Sequence, residues 1–161
     1  MIIRAAEPRD YAAIRDILVA AFPGPDEAGL VERLRSDGDA AIERVADDAG
    51  RIVGHILFSL MKAPFRALAL APVAVAPDRH ALGIGSALIA AGHELARQHG
   101  WDAIFVLGEP DYYCRFGYDV ALAARFDSPY AGPYFMALPL ACVLPTHDGQ
   151  VTHAPAFAAL G

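Results

Sequence analysis

Apolar and polar positions along the chain change their spacing several times, and each change predicts a different element. In the first forty residues, two runs repeat apolar side chains every three or four positions, which predicts two amphipathic helices. The first begins near Asp10 and ends at Pro23-Gly24-Pro25, and the second runs from Asp26 to Gly38. A short apolar run at residues 2–5 precedes both helices and predicts a first strand.

The middle of the chain carries apolar runs of strand length, interrupted once by a long helical pattern. Strands are predicted at residues 41–46, 52–61, 68–75 and 103–107. Asp47-Asp48-Ala49-Gly50 is predicted as the turn between the first two of these strands. A helix is predicted over residues 83–99, where Gly100 ends it, and a short helical turn over residues 110–116.

The tail after Tyr118 is rich in aromatic residues and prolines. It predicts one or two further strands, with residues 136–140 as the best candidate. The sequence contains no repeat, linker or low-complexity segment, so residues 1–161 are predicted to form a single domain. Strands and helices in this order indicate an α+β domain built on a mixed sheet.

The stretch from residue 72 to residue 89 carries the strongest indication of chemistry. It reads as a buried strand, a short polar connection, a turn with Gly83 and Gly85, and the start of an amphipathic helix. The first N–H groups of a helix lack partners within the helix, and they lie at the positive end of its dipole. Glycine lets a phosphate approach the backbone closely, so this turn is predicted to bind phosphate.

Pro72 interrupts the strand that leads into this turn. Proline has no N–H group for the sheet ladder, so it predicts a sheet edge or a bulge at that point. A bulge would turn the N–H groups of Val73, Ala74 and Val75 away from the neighbouring strand. These three groups are therefore predicted to be available to a ligand.

Composition excludes several classes of function. The formal net charge is −6 and Lys62 is the only lysine, so the sequence predicts no basic face for a nucleic acid and better suits an amine-bearing partner. No apolar run reaches the roughly 18 residues of a membrane helix, and the N-terminus lacks the core of a signal peptide. Cys114 and Cys142 form no disulfide framework, and the six histidines lack metal-ligand spacing. The expectation is a cytoplasmic protein without a metal site.

Two segments resemble the GNAT superfamily of acyl-CoA-dependent N-acetyltransferases. His80-Ala81-Leu82-Gly83-Ile84-Gly85 is similar to the family's Arg/Gln-x-x-Gly-x-Gly/Ala motif, with His80 where the family has arginine or glutamine. Tyr112-Tyr113-Cys114-Arg115-Phe116-Gly117-Tyr118 looks like its Leu-Tyr-x-Lys-x-Gly-Phe segment. The turn Gly108-Glu109-Pro110-Asp111 lacks the asparagine that many members place there. A Rossmann fingerprint is excluded because Leu88 occupies its third glycine position.

The resemblance implies the GNAT fold, an α/β/α arrangement around a mixed, mostly antiparallel sheet that splays between strands 4 and 5. It also implies acetyl-CoA as co-substrate and no metal. The backbone N–H groups of Val73, Ala74 and Val75 would position the acetyl carbonyl and pantetheine. The pyrophosphate would be wrapped by the residues of the glycine turn, namely His80, Ala81, Leu82, Gly83, Ile84, Gly85 and Ser86. The alternative interpretation is that these segments bind no ligand and are an ordinary buried strand and a plain helix start.

The catalytic roles also follow from the resemblance. Tyr113 aligns with the family tyrosine near the CoA sulfur, where a phenol with its ordinary pKa near 10 stays protonated and can donate to the leaving thiolate. The alternative for Tyr113 is a core aromatic residue that packs under the sheet. Tyr112 is interpreted as a packing residue. Glu109 at the end of strand 5 is a candidate base, but His55, Glu27 and water remain open, with His153 the weakest candidate.

The function expected is acetyl transfer to a primary amine of a small molecule or a protein, directly within a ternary complex. The alternative is a non-catalytic acyl-CoA-binding sensor or scaffold, which would release no thiol with any amine. The acceptor is not readable from the sequence. A homodimer would suit such a fold, although no residue pattern specifies one.

Overall fold

The computed structural model describes residues 1–160. The longer helices are α1 (Tyr11–Ala21), α2 (Asp26–Ser36) and α3 (Ile84–Gln98), and the short ones are α4 (Pro110–Tyr113) and α5 (Val120–Ala123). The first strands are β1 (Ile2–Ala5), β2 (Ala40–Asp48), β3 (Arg51–Met61), β4 (Ala67–Val75) and β5 (Ala103–Leu107). The tail adds β6 (Phe126–Asp127), β7 (Phe135–Pro139) and β8 (Gly149–Gln150). Turns of 3-10 helix occupy Pro8–Asp10, Pro77–Arg79, Cys114–Phe116 and Pro155–Leu160.

Six strands form the main sheet, in the order β1-β2-β3-β4-β5-β7. Every neighbouring pair is antiparallel except β4 and β5, which run parallel. These two strands pair only from Ala67–Ala69 to Ala103–Phe105, and β4 continues for six more residues without β5 beside it. The prediction of a mixed, mostly antiparallel sheet that splays between strands 4 and 5 is confirmed.

Both faces of the sheet are covered, which explains why β3 and β4 read as almost continuous apolar runs. On one face α3 packs through Leu88 against Ile56 and Phe58. On the opposite face α1 and α2 pack against Leu57 and Ala69, and the C-terminal 3-10 turn joins the same cluster. No helix among residues 1–160 is both long enough and apolar enough to span a bilayer.

The hairpin between β2 and β3 is tighter than the predicted four-residue turn. Asp47 and Asp48 belong to β2, and only Ala49 and Gly50 form the loop, with φ of 52° and 92°. Two residues with positive φ are the requirement of a two-residue hairpin whose twist matches its strands. Asp47 completes the turn by accepting the N–H of Gly50 at 2.8 Å. Other predicted element boundaries lie within about two residues of the observed ones. The tail holds three strands, whereas one or two were predicted, because β6 and β8 are only two residues long and pair with each other outside the main sheet.

The bulge predicted at Pro72 is confirmed, but the structure corrects what it does. Ile56 pairs with Val73 and Phe58 pairs with Leu70, so two residues of β4 lie opposite one residue of β3. Beyond this bulge, Val73–Val75 return to register with β3. The residues therefore stay in the ladder with β3, and their free edge arises because β5 has diverged.

Close packing at Gly92 gives a first test of the fold. A Cβ on Gly92 would lie 2.2 Å from Cε1 of Phe58, whose side chain is completely buried. Gly92→Ala should therefore lower the free energy of unfolding by about 1–3 kcal/mol, because the ring cannot move without disturbing the core. Urea denaturation measures the change. Gly29→Ala in α2 is the matched control, since open space surrounds Gly29, and it should not destabilise the protein. Equal stability of the Gly92 variant and the wild type would contradict this packing.

Candidate functional site

The connection between β4 and α3 forms an open, glycine-containing turn. Ala81 and Gly83 adopt positive φ of 64° and 79°, and Gly83 is the residue that caps α3. The N–H of Ala87 bonds to the carbonyl of Gly83 at 3.0 Å, so the N–H groups of the three preceding residues have no partner within the helix. No side chain of the described chain caps this end, and the first turn holds no acidic residue. The positive end of a 15-residue helix is thus presented to an anion.

A cavity of about 230 Å³ lies against this turn. Val75 borders it on the β4 side and Tyr112 on the α4 side. The other lining residues come from the turn and the start of α3, namely Arg79, His80, Ala81, Gly83, Ile84, Gly85 and Ser86. The predicted phosphate-binding segment and β4 therefore line a single concave surface. Leu82 belongs to the same segment but is exposed and does not line the cavity.

The edge of β4 beside the splay presents backbone groups to the same region. Ala76 donates its N–H to the carbonyl of Val53 at 2.8 Å. Because neighbouring residues of an antiparallel strand alternate in direction, Ala74 also faces β3, whereas Val73 and Val75 face the splay. The Val75 carbonyl there lies 3.1 Å from Nε2 of His80. The predicted set of three free N–H groups is therefore corrected to two, those of Val73 and Val75.

Ion pairs fix the segment that leads into the glycine turn. Arg51 forms two bonds of 2.8 Å with the carboxylate of Asp78, and Arg79 pairs with Asp48. These contacts join the Pro77–Arg79 turn to the hairpin between β2 and β3. Arg79 is engaged in this pair and does not replace the motif's usual head residue, a position that His80 occupies.

Tyr113 packs beside the carboxyl end of β5. A Cβ on Gly108 would lie 2.5 Å from Cε2 of Tyr113, so the ring rests directly on the backbone of that glycine. Burial is the main cause that raises the pKa of Tyr113 to about 12. At neutral pH its hydroxyl is therefore a protonated donor.

Comparison with known proteins decides the family. A model of the acetyltransferase (GNAT) family matches residues 11–118. The uncharacterized N-acetyltransferase YjhQ of Escherichia coli (strain K12) is 37% identical over 133 residues, which cover 78% of this chain and 71% of the relative. The chain belongs to the GNAT acetyltransferase family. It is an acyltransferase, and the predicted membership of the GNAT superfamily is confirmed.

Solved structures agree with this assignment. The GNAT N-acetyltransferase YhbS of Escherichia coli, crystallised with CoA, superimposes with a TM-score of 0.93 at 29% identity and covers 99% of this chain and 93% of its own. A GNAT acetyltransferase of Brucella melitensis in complex with acetyl-CoA gives a TM-score of 0.82 at 31% identity, with 97% of both chains covered. The fold of this GNAT acetyltransferase therefore matches that of two relatives that hold the coenzyme.

The candidate bases of this GNAT acetyltransferase are scattered. Glu109 is exposed at the start of α4, where its backbone carbonyl accepts the N–H groups of Tyr112 and Tyr113. Glu27 in α2 is half-buried, and one of its carboxylate oxygens has no hydrogen-bond partner within the described chain. Apart from the backbone bond of Glu109, nothing in the described structure joins the carboxylate of Glu109 or Glu27 to Tyr113.

His55 is tied into the core. Its Nε2 lies 2.7 Å from Oε2 of Glu43, which also binds Arg35. Burial lowers the pKa of His55 despite this carboxylate. Burial also opposes ionisation of Glu43, but the bonds from His55 and Arg35 outweigh it and hold the pKa of Glu43 below its ordinary value. This cluster joins β3, β2 and α2, which is the role of a core histidine.

Two residues of this GNAT acetyltransferase occupy positions that the sequence did not predict. The hydroxyl of Tyr112 lies 3.3 Å from where a Cβ of Gly85 would be, so Tyr112 faces the glycine turn and not only the core. His153, the weakest candidate from sequence, is largely buried among the rings of Tyr130, Phe135 and Phe157. No local sequence pattern predicts the position of either residue, because each position depends on contacts between distant segments.

Proposed function

We propose that this enzyme transfers an acetyl group from acetyl-CoA to a primary amine of a small molecule or a protein, directly within a ternary complex. The observation that carries the proposal is the glycine turn at the start of α3, which shares one concave surface with the open edge of β4. The turn suits the pyrophosphate, and the splay suits the pantetheine arm. Relatives that bind CoA and acetyl-CoA have the same fold.

Each part of the site has a defined task in this reaction. The N–H groups of Val73 and Val75 would hold the acetyl carbonyl and pantetheine, and one donor placed at a developing oxyanion contributes about 3–4 kcal/mol in other acyl transfers. Tyr113 would donate its proton to the departing thiolate. Glu109 is exposed at the end of β5, where it would attract the cationic form of the acceptor or act on it through water.

The acceptor and the location of the enzyme are part of the same proposal. The net charge of −6 favours a cationic amine over an anionic acceptor. Cys114 and Cys142 are both free and exposed, which favours the reducing environment of the cytoplasm. The alternative, a non-catalytic acyl-CoA-binding module, would use the same turn without consuming the thioester.

Calorimetric titration with acetyl-CoA, alongside propionyl-CoA and free CoA, tests the binding half of the proposal. We expect micromolar dissociation constants for acetyl-CoA, and no binding by folded protein would overturn the proposal. Thiol release with a panel of primary amines tests the chemical half. Binding without thiol release from any amine would favour the sensor or scaffold.

Gly85→Val should raise the dissociation constant of acetyl-CoA at least tenfold. A Cβ at this position already lies 3.3 Å from the Tyr112 hydroxyl and 3.7 Å from Cγ2 of Val75, so a branched side chain would occupy the concave surface. Calorimetry measures the effect. Gly29→Val makes the same change on a helix with open space around it, and it should leave the affinity unchanged. Undiminished affinity in a folded Gly85 variant would contradict a phosphate-binding role for the turn.

A further inference from the structure

The polar side chains at the head of the glycine turn are already engaged. Arg79 pairs with Asp48, and Nε2 of His80 donates to the Val75 carbonyl at 3.1 Å. A neutral imidazole that donates through Nε2 has no proton on Nδ1. The position at which the family's motif has arginine or glutamine thus directs its N–H at the backbone in this chain. A phosphate in the cavity beside the turn would therefore need a side-chain donor from another element.

Tyr112 of α4 brings a hydroxyl to the other wall of that cavity. The hydroxyl oxygen lies 3.3 Å from the point where a Cβ on Gly85 would be, and Cγ2 of Val75 lies 3.7 Å from the same point. The hydroxyl thus adjoins the space that the missing side chain of Gly85 leaves open, between β4 and the start of α3. Within the described chain, the residues that line the cavity include no carboxylate, so no charge in its wall repels an anion.

The hydroxyl and the first N–H groups of α3 are close enough to bind the same oxygen atom. The nitrogen of any residue lies about 2.5 Å from its own Cβ, so the Tyr112 hydroxyl oxygen is at most about 6 Å from the nitrogen of Gly85. The N–H of Gly85 is one of the three that have no partner within α3. One phosphate oxygen that accepts two hydrogen bonds of about 2.9 Å spans nearly the same distance.

Three neighbours fix the ring of Tyr112. The rings of Tyr113 and Phe116 meet it in T-shaped contacts, with centroids 5.0 Å and 5.5 Å away. The guanidinium of Arg115 lies over the ring at 4.6 Å from its centroid, and Nε of Arg115 donates to the Tyr112 carbonyl at 3.1 Å. A hydroxyl on a ring held in this way loses little freedom when a ligand binds to it.

We propose that the hydroxyl of Tyr112 donates a hydrogen bond to the pyrophosphate of acetyl-CoA, together with the N–H groups at the start of α3. The inference rests on the proposed acetyl transfer and adds a binding residue to its coenzyme site. The family's segment has leucine where this chain has Tyr112, and leucine carries no donor, so the contact lies outside the family's motif. The two neighbouring tyrosines then have separate tasks, since Tyr112 binds phosphate and Tyr113 acts on sulfur.

Calorimetry and kinetics of Tyr112→Phe test the proposal. The variant keeps the ring and removes only the hydroxyl, so the dissociation constant of acetyl-CoA should rise about tenfold, as for the loss of a hydrogen bond to a charged group. The value of kcat at saturating acetyl-CoA should stay within twofold of wild type. Tyr134→Phe removes an exposed hydroxyl from the loop before β7 and should change neither value. Unchanged affinity in Tyr112→Phe, or a fall in kcat alone, would overturn the proposal.

Shortened coenzymes locate the contact. Acetyl-3′-dephospho-CoA keeps the pyrophosphate, whereas S-acetylpantetheine carries no phosphate. In thiol-release assays, the loss of kcat/KM caused by Tyr112→Phe should persist with the first thioester and disappear with the second. An equal loss with S-acetylpantetheine would overturn the proposal, and so would a loss that disappears with the dephospho compound, which would assign the hydroxyl to the 3′-phosphate. Failure of the folded wild type to bind acetyl-CoA would instead contradict the proposed function, so the two failures are distinguishable.

Discussion

Tyr113→Phe should lower kcat at least tenfold and leave acetyl-CoA affinity within about twofold of wild type. The substitution removes one hydroxyl from a ring that rests on the backbone of Gly108 and is otherwise retained. Proton transfer by a positioned side chain contributes about 10²- to 10⁴-fold to a reaction rate. Burial raises the pKa of Tyr113 to about 12, so the proton is present throughout the neutral range and is delivered only as charge develops on sulfur. Thiol release and calorimetry together measure the two values.

Tyr134→Phe is the matched control for this prediction. Tyr134 is 53% exposed in the loop before β7, so loss of its hydroxyl should leave kcat unchanged. An unchanged kcat in the Tyr113 variant would remove the acid role and leave Tyr113 as a packing residue. A fall in acetyl-CoA affinity with kcat preserved would place the hydroxyl on the coenzyme instead.

The free energy of unfolding should decrease steeply as the pH falls from 7 to 4. Burial lowers the pKa of three histidines: that of His55, and those of His93 and His153, which fall to about 4. An unfolded chain protonates these rings near pH 6.5, whereas the folded chain keeps them neutral until a lower pH. The unfolded state therefore binds more protons, and stability is fully present above pH 6.5 and is lost as the pH falls.

The size of this effect follows from the same values. A pKa lowered from 6.5 to about 4 corresponds to about 3 kcal/mol for each histidine, which is a large fraction of the stability of a domain of this size. Urea denaturation at a series of pH values measures it. His93→Gln should remove roughly one of the protons taken up on unfolding, while His147→Gln, at an exposed position, should not. Stability that is flat between pH 7 and pH 4 would show that these rings are not buried in neutral form.

The glycine turn and the strands around it could be predicted because their signals are local. Gly83 takes a positive φ that few other residues tolerate, and the apolar run of β3 has the length of a strand buried on both faces. The resemblance then supplied the splay between strands 4 and 5, which the structure confirms, and the role of Tyr113, which stays a prediction. These features depend on residues close together in sequence or on the spacing of two motifs.

The remaining features depend on contacts between distant segments. Ala74 and Val75 look equivalent in the sequence, and only the pairing with β3 shows that their N–H groups face opposite ways. His153 is one histidine among prolines and alanines, and its setting exists only because the tail packs beneath β4 and β5. Its low rank from sequence follows from the absence of any local pattern around it.

The short pairing of β4 with β5 has a mechanical consequence. Three residue pairs of β4 and β5, with the Arg66 carbonyl that accepts the N–H groups of Asp102 and Ala103, join the four strands β1–β4 to the two strands β5 and β7. Beyond Ala69 the pairing of β4 with β5 ends, and side-chain packing sets the distance between the two parts. The splay is therefore an opening in the sheet that exists without any broken backbone pairing. We expect the pantetheine arm of the proposed complex to enter this opening without any strand being unpaired.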